Sequence, residues 1–137
     1  MLVRDQMSTP AVTVRNDQDY KVALWLMQEN AVHHLPVVDA AGQVVGIAAE
    51  RDLLLAATRY LQSAVEVEEV MHRGAVTTRP DTSLTAAASL MLRHRIGGLP
   101  VVDADERLVG LITETDIFKV FVAMADEQAT RQLPLAM

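Results

Sequence analysis

The sequence LPVVDA spans Leu35–Ala40 and recurs, letter for letter, at Leu99–Ala104 in this chain of 137 residues. The same offset pairs Met7–Leu54 with Met71–Phe118 without a gap, and 19 of those 48 pairs are identical. Self-similarity at one fixed offset is the signature of an internal repeat. The chain therefore contains two copies of one unit.

Hydrophobic periodicity changes in the same order within each copy. In the first, Ala11–Val14 is β-prone, Asn16–Asp17 supplies a helix cap, and two β-branched runs flank a turn at Ala41–Gln43. A second helix is predicted from Glu50 onward, with apolar residues at Leu53, Leu54, Ala57 and Leu61. Each unit is therefore predicted as β-α-β-β-α.

The second copy repeats this order of helices and strands. Pro80–Asp81 is its predicted helix cap, and its last helix is predicted from Glu114 past Phe121. We expect the first repeat at residues 1–64, the second at 65–124 and a tail at 125–137, with a polar linker at Ala64–Glu69. A lone unit of about 60 residues would be marginally stable, so the two should form one α+β module around a pseudo-twofold axis.

Composition excludes several classes of protein. The chain has no cysteine, so it can form neither disulfides nor thiolate metal sites. The absence of cysteine is consistent with a reducing, cytoplasmic setting. Twelve basic against 18 acidic residues give a net charge of −6, which disfavours nucleic acid as a partner. No apolar run approaches the ~20 residues needed to span a membrane.

Two motifs accompany the repeat. In the second copy they are Ile96–Asp103, IGGLPVVD, and Gly110–Asp116, GLITETD. In this order, twice and at one ungapped offset, they resemble the CBS domain, named after cystathionine β-synthase. The resemblance covers about Val3 to Phe121. It implies a CBS pair, or Bateman module, that binds an adenosine-containing ligand, often dimerises and regulates an attached or associated protein.

The physical chemistry of the second motif is compatible with a ligand site. Thr113 and Asp116 lie where a strand meets a helix, so free backbone N–H groups and the positive end of the helix dipole are close to them. The Asp116 carboxylate can accept both hydroxyls of a ribose, and Thr115 offers another hydroxyl. The same residues are also ordinary at a helix start, where Thr113 would serve as the N-cap.

The family pattern builds each of two clefts from both repeats. It implies that the better cleft combines Thr113, Thr115 and Asp116 with residues of the first repeat, which are Val12, Thr13, Val32, His33 and His34. It implies that the weaker cleft combines Arg51 and Asp52 with Val76, Thr77, Ile96 and Gly97. That cleft departs from the pattern because Ala49 stands where Thr113 supplies a hydroxyl.

The sequence contains no catalytic or metal-binding motif. The four histidines lack metal-ligand spacing, and phosphate-binding or nucleophile loops are absent from the sequence. Adjacent His33 and His34 replace Gly97 and Gly98 of the second copy; they could donate to a ligand or be ordinary, partly exposed imidazoles.

The function that the resemblance implies is a regulatory switch, including energy sensing, rather than catalysis. The expected ligand is AMP, ADP or ATP, with S-adenosylmethionine or NAD as further candidates, and no cofactor is required. Signalling would pass to a protein in trans or through self-association. A degenerate pair acting as a structural or interaction module is the alternative, and an enzyme is a distant third.

A homodimer is expected from the helices. Ile117, Val120, Phe121 and Met124 follow helical spacing, with Val122 and Ala123 widening the apolar stripe. Leu53, Leu54, Leu55 and Ala57 form a matching stripe in the first copy. One face of each helix can be covered by its own repeat, and a second chain is the expected cover for the surplus width. The alternative is that all of this surface closes within the chain.

Overall fold

An antiparallel hairpin forms the centre of each repeat. The computed structural model describes residues 1–59 and 63–132. The first repeat contains β1 (Val14–Arg15), α1 (Tyr20–Asn30), β2 (His34–Val38), β3 (Val44–Ala49) and α2 (Glu50–Arg59). The second contains β4 (His72–Arg73), α3 (Leu84–His94), β5 (Gly98–Val102), β6 (Leu108–Thr113) and α4 (Glu114–Gln132). The predicted α+β fold with two repeats is confirmed.

Two of the predicted segments extend beyond the described residues. Leu61, which we placed in α2, lies outside them. The described part of the predicted tail continues α4 as far as Gln132, and residues 133–137 also lie outside.

The duplicated LPVVDA segment is a strand followed by a side-chain-stabilised turn. The Asp39 carboxylate accepts from the backbone N–H groups of Ala41 and Gln43 at 3.0 and 2.9 Å. The Asp103 carboxylate accepts in the same way from Asp105 and Arg107 at 2.9 Å each. Asp is favoured in turns because its side chain can bond to the backbone shortly after it. The aspartate therefore fixes the register of both hairpins.

The helix caps differ from the prediction. α1 is capped by Asp19, whose carboxylate accepts from the Lys21 N–H at 2.9 Å, rather than by Asn16–Asp17. α3 is capped by Ser83 rather than by Pro80–Asp81. The turns before these caps already serve another purpose, because the carbonyls of Asn16 and Pro80 accept hydrogen bonds from distant segments of the chain.

The first strand of each repeat is shorter than predicted. Instead of Ala11–Val14, β1 contains only Val14 and Arg15, which pair in parallel with Val37 and Val38. In the second repeat this strand is reduced to one parallel bridge between Thr78 and Val101.

The short segment before each repeat packs into the core of the other repeat, so the two segments are exchanged. Val3 is fully buried in the core of the second repeat, beside Leu84 and Leu99, and its N–H donates to the Thr82 carbonyl at 2.9 Å. Val67, its partner in the repeat register, is fully buried in the core of the first repeat. Each repeat core is therefore completed by a segment that precedes the other repeat in the sequence.

The exchange also extends the hairpins and changes the character of the predicted linker. β4 pairs antiparallel with β3, and Ser8 bridges Leu111 of β6 in the equivalent place. We expected Ala64–Glu69 to be a polar connection. Instead Val65 and Val67 are buried, and the Val67 N–H donates to the Gln18 carbonyl at 2.8 Å, so this segment is a structural part of the first repeat.

Candidate functional site

Two cavities lie at the junction between the repeats. The Asp116 cavity has a volume of about 180 Å³. Its lining comes from the N-terminal segment, the end of α1, β6 and the start of α4: Ser8, Pro10, Ala11, Val12, Ala31, Val32, His33, His34, Leu111, Thr113, Thr115 and Asp116.

The second, the Arg51 cavity, has a volume of about 800 Å³. Its polar part is at the starts of α2 and α4, and its apolar part is between α3 and α4. It is lined by His33, His34, Ala49, Glu50, Arg51, Asp52, Ala88, Met91, Leu92, Arg95, Ile96, Gly97, Glu114, Ile117 and Phe118.

The structure brings most of the better-cleft residues together. Of the eight that the family pattern supplied, seven line the Asp116 cavity and only Thr13 does not. Successive side chains of an extended segment point to opposite sides, and Val12 occupies the side that faces the cavity.

The weaker-cleft residues are brought together in part. Arg51, Asp52, Ile96 and Gly97 line the Arg51 cavity, whereas Val76 and Thr77 do not. Val76 packs against the core of the second repeat, and the cavity extends towards α3 and α4 instead.

Asp116 has one carboxylate oxygen occupied and one available. Its Oδ2 accepts from the Thr113 backbone N–H at 2.9 Å and from the Thr113 hydroxyl at 3.1 Å. These bonds belong to a helix start, as the sequence allowed, but Thr113 donates its hydroxyl to Asp116 instead of accepting with it as the expected N-cap would. Among the contacts of the described residues, Oδ1 has no donor, so it can accept from a ligand without breaking the cap.

Asp52, the repeat partner of Asp116, lacks this support. Ala49 has no hydroxyl to donate, and no described residue donates to the Asp52 carboxylate. The Arg51 cavity instead has two guanidinium groups, Arg51 and Arg95, in its lining. Among the described residues, no Arg or Lys lines the Asp116 cavity. The larger cavity therefore offers more to a phosphate, and the smaller one offers more to a ribose.

His33 and His34 line both cavities. The His33 Nδ1 lies 3.2 Å from Glu50 Oε2; the His33 side chain is largely exposed and the Glu50 side chain is partly buried. Burial lowers the pKa of His34 below its ordinary value, against an opposing effect of the Glu114 carboxylate. His34 is therefore neutral near pH 7.

Sequence reasoning missed two parts of the linings. Ser8, Pro10 and Ala11 reach the Asp116 cavity because the N-terminal segment is exchanged. Ala88, Met91 and Leu92 of α3 and Phe118 of α4 form the apolar part of the Arg51 cavity. In sequence these are amphipathic-helix residues, and no signal distinguishes them from core or interface positions.

The described residues contain neither a candidate metal site nor a helix that could span a membrane. Within residues 1–59 and 63–132, no group of three or more His, Asp or Glu is placed to hold a metal ion. No helix in the same ranges is long and apolar enough to cross a bilayer.

Comparison with known proteins places this architecture in a family. The CBS domain profile matches residues 3–59 and again 67–123. The chain therefore belongs to the CBS domain family and contains a tandem CBS pair. A CBS domain-containing protein of Dictyostelium discoideum is 33% identical over 137 residues, covering 92% of this chain and 94% of that protein.

Solved structures agree with this assignment. A CBS domain pair in complex with 5′-methylthioadenosine and S-adenosyl-L-methionine has a TM-score of 0.80 and 31% identity, covering 90% of this chain and 98% of that one. CBSX2 of Arabidopsis thaliana in complex with AMP has a TM-score of 0.73 and 30% identity, covering 90% and 98%.

The curated enzymes that match do so over a minor part of their length. The L-aspartate semialdehyde sulfurtransferase of Methanocaldococcus jannaschii is 33% identical over 120 residues, which is 88% of this chain but 23% of the enzyme. What is shared is the CBS part of a longer protein.

Proposed function

We propose that this CBS pair is a regulatory module that binds an adenosine-containing ligand at the junction of its repeats. The observation that carries the proposal is the convergence of Thr113 and Asp116 from one repeat with Val32 and His34 from the other on a single cavity. Related CBS pairs were crystallised with AMP and with S-adenosyl-L-methionine and 5′-methylthioadenosine, which supports the class of ligand.

Within the Asp116 cavity, a ribose hydroxyl would donate a hydrogen bond to Asp116 Oδ1. The adenine would lie against the apolar side chains of Val12, Val32 and Leu111, which line the same cavity. Removing charge-assisted hydrogen bonds costs about 1.5 to 3 kcal/mol, or roughly ten- to a hundredfold in affinity.

Calorimetry on Asp116→Ala tests this placement. We expect AMP and 5′-methylthioadenosine to bind ten- to a hundredfold more weakly at one site, because the ribose loses its acceptor. Asp116→Asn retains an acceptor oxygen and separates lost charge from lost capping. Asp126→Ala, an exposed carboxylate farther along α4, is the matched control and should bind as wild type. Unchanged affinity in Asp116→Ala would refute the placement.

Signalling would follow from the size of the Asp116 cavity. Small-molecule sites usually have volumes of about 300 to 1,000 Å³. A cavity of about 180 Å³ is below that range, so a nucleoside would have to widen the gap between the repeats. A ligand that prefers the wider arrangement shifts the population towards it, and this shift is the proposed signal.

Hydrogen exchange can detect that change. The segment 8–12 borders the Asp116 cavity directly, so its amides should gain protection when ligand binds. The linker Ala64–Glu69 contributes to neither of the two cavity linings, so it should respond only if the repeats move relative to each other. Protection at the ligand contacts alone, with no change in the linker, would favour passive binding over a switch.

The exposed apolar helix surface supports a homodimer as part of this proposal. Phe118, Phe121, Val122 and Met124 of α4 are exposed, as are Leu54 and Leu55 of α2. An exposed apolar surface of this kind usually marks an interface. A regulated protein in trans and a cytoplasmic location stay predictions from the sequence.

Two alternatives remain distinguishable by the same binding measurements. A degenerate structural pair would bind none of AMP, ADP, ATP, NAD, S-adenosylmethionine or 5′-methylthioadenosine. An enzyme would convert one of them, which chromatography of the calorimetry samples would detect.

A further inference from the structure

The imidazole of His34 occupies a space that two glycines of the other repeat leave for it. A Cβ added to Gly97 would lie 2.8 Å from His34 Nε2, and one added to Gly98 would lie 3.4 Å from His34 Cγ. The first distance is a clash and the second is at the edge of ordinary contact. His34 thus packs against Gly97 and against Gly98, its own register partner, in the other repeat. The ring therefore lies at the junction of the two repeats.

This position places one titratable ring in the walls of both cavities. His34 follows directly on His33, but the two differ in their partners. His33 faces Glu50, whereas no described residue forms a hydrogen bond or ion pair with the His34 ring. Its nitrogens are therefore available to a group that enters either cavity.

Charged groups of both signs face this junction from each neighbouring element. Carboxylates come from the starts of α2 and α4, and the cations come from α2 and the end of α3: Glu50, Asp52, Glu114, Asp116, Arg51 and Arg95. The carboxylates of Glu114, Asp52 and Glu50 favour the imidazolium of His34, and the neighbouring His33 disfavours it. Burial outweighs the carboxylates, which keeps the pKa of His34 low. An anion beside the ring would change that balance.

We propose that His34 binds the anionic part of a ligand together with a proton, so that the affinity for a phosphate-bearing adenosine compound is linked to pH. The inference rests on the proposed ligand function and adds that ligand binding is accompanied by the uptake of a proton. His34 is neutral in the free protein, and a phosphate beside the ring would favour the imidazolium. Because one ring serves both cavities, one proton is taken up at the junction whichever cavity holds the phosphate.

The sign of the pH dependence follows from linkage. The His34 pKa is lower in the free protein than in the complex, so affinity for the anion rises as pH falls from above the bound pKa to below the free pKa. A shift of one unit corresponds to about a tenfold change in affinity. A neutral adenosine compound should show no such change.

The direct test is a histidine NMR titration of the whole chain, with His33 and His34 assigned by His33→Gln and His34→Gln. Three probes are added separately: AMP, inorganic phosphate and 5′-methylthioadenosine. We expect AMP and phosphate to raise the pKa of His34, and 5′-methylthioadenosine to leave it unchanged or lower it. An unchanged His34 pKa with saturating AMP overturns the inference.

Calorimetry with AMP between pH 5.5 and 8 separates this inference from the proposed function. The phosphate of AMP itself titrates near pH 6, so the quantity of interest is the difference between wild type and His34→Gln. Wild type should gain about tenfold in affinity relative to His34→Gln on acidification. His94→Gln removes an exposed histidine that lines neither cavity, so it should behave as wild type. Equal profiles refute the proton link and leave the ligand function intact. No binding of any adenosine compound at any pH refutes both.

Discussion

The two halves of this molecule share a backbone plan and differ at the positions that face the cavities. In the second repeat Thr113 supports Asp116 through two hydrogen bonds, whereas Ala49 leaves Asp52 without a donor in the described residues. The resulting cavities have volumes of about 180 and 800 Å³. The sequence comparison ranked the Asp116 cleft as the better one, and that ranking stays a prediction, because volume alone does not set affinity. Duplication therefore provided one framework for two different environments.

The largest expected effect concerns the helices, where α4 presents more exposed apolar surface than the described part of α2. Phe121 is 66% exposed. Phe121→Glu should convert the proposed dimer to monomer, with an association constant at least about a hundredfold weaker, because a carboxylate would be buried without a partner. Light scattering across a concentration series measures this.

Two further variants control the dimer experiment. Lys119→Gln alters net charge by the same amount, but it lies about 200° around α4 from Phe121, so it should stay dimeric. Leu54→Glu, on α2, should weaken the dimer less if α4 carries most of the interface. Wild type eluting and scattering as a 15.0 kDa monomer at micromolar concentration would contradict the dimer.

The next effect compares the two points where an exchanged segment crosses a hairpin. A Cβ on Gly46 would lie 2.4 Å from the His72 carbonyl oxygen, and a Cβ on Gly110 would lie 2.8 Å from that of Ser8. Both neighbours are backbone, which cannot move without separating the strands. Gly46→Ala and Gly110→Ala should each lower the free energy of unfolding by about 1 to 3 kcal/mol, the former more.

Gly98→Ala is the matched control for these glycine variants. Its Cβ would meet side chains rather than backbone: the end of Ile47 at Cδ1, 3.0 Å away, and the ring carbon His34 Cγ, 3.4 Å away. Denaturant titration should show a smaller loss for this variant. Equal losses at all three positions would mean that the crossings are not specially constrained.

The smallest expected effect tests whether one hydroxyl accounts for the unequal helix starts. Thr113→Ala should lower the free energy of unfolding by about 0.5 to 1.5 kcal/mol, because Asp116 loses the hydroxyl that donates to it. Ala49→Thr should raise it by a similar amount or less, by giving Asp52 the same donor. Thermal and urea unfolding of both single variants and of the double variant measure these changes in the free energy of unfolding. A destabilised Ala49→Thr would show that the two helix starts differ in more than this residue.

The sequence was informative wherever a local pattern determined structure. Two β-branched runs on either side of the turn at Ala41–Gln43 predicted the first hairpin, and the repeat placed the second. The helices followed from apolar spacing. The resemblance to the CBS family implied eight residues around Asp116, and seven of them line that cavity.

The exchange of Val3 and Val67 could not be predicted in this way. Both valines fit either core, because the two cores are built from copies of the same unit. Only the path of the chain in three dimensions decides which core each one enters. The same path brings Ser8 and Pro10 into the Asp116 cavity, and no local pattern indicates this.

The exchange of segments also determines the order in which the chain can be completed during synthesis. Residues 2–8 leave the ribosome before their binding surface, which includes Thr82 and Leu111, has been made. The first repeat likewise lacks Val65 and Val67 until synthesis has passed its own last helix. The first half therefore cannot complete its core when its own last helix has been made, whereas the second half finds Val3 already present. A nascent chain arrested between the repeats would expose an open core on a ribosome-bound intermediate.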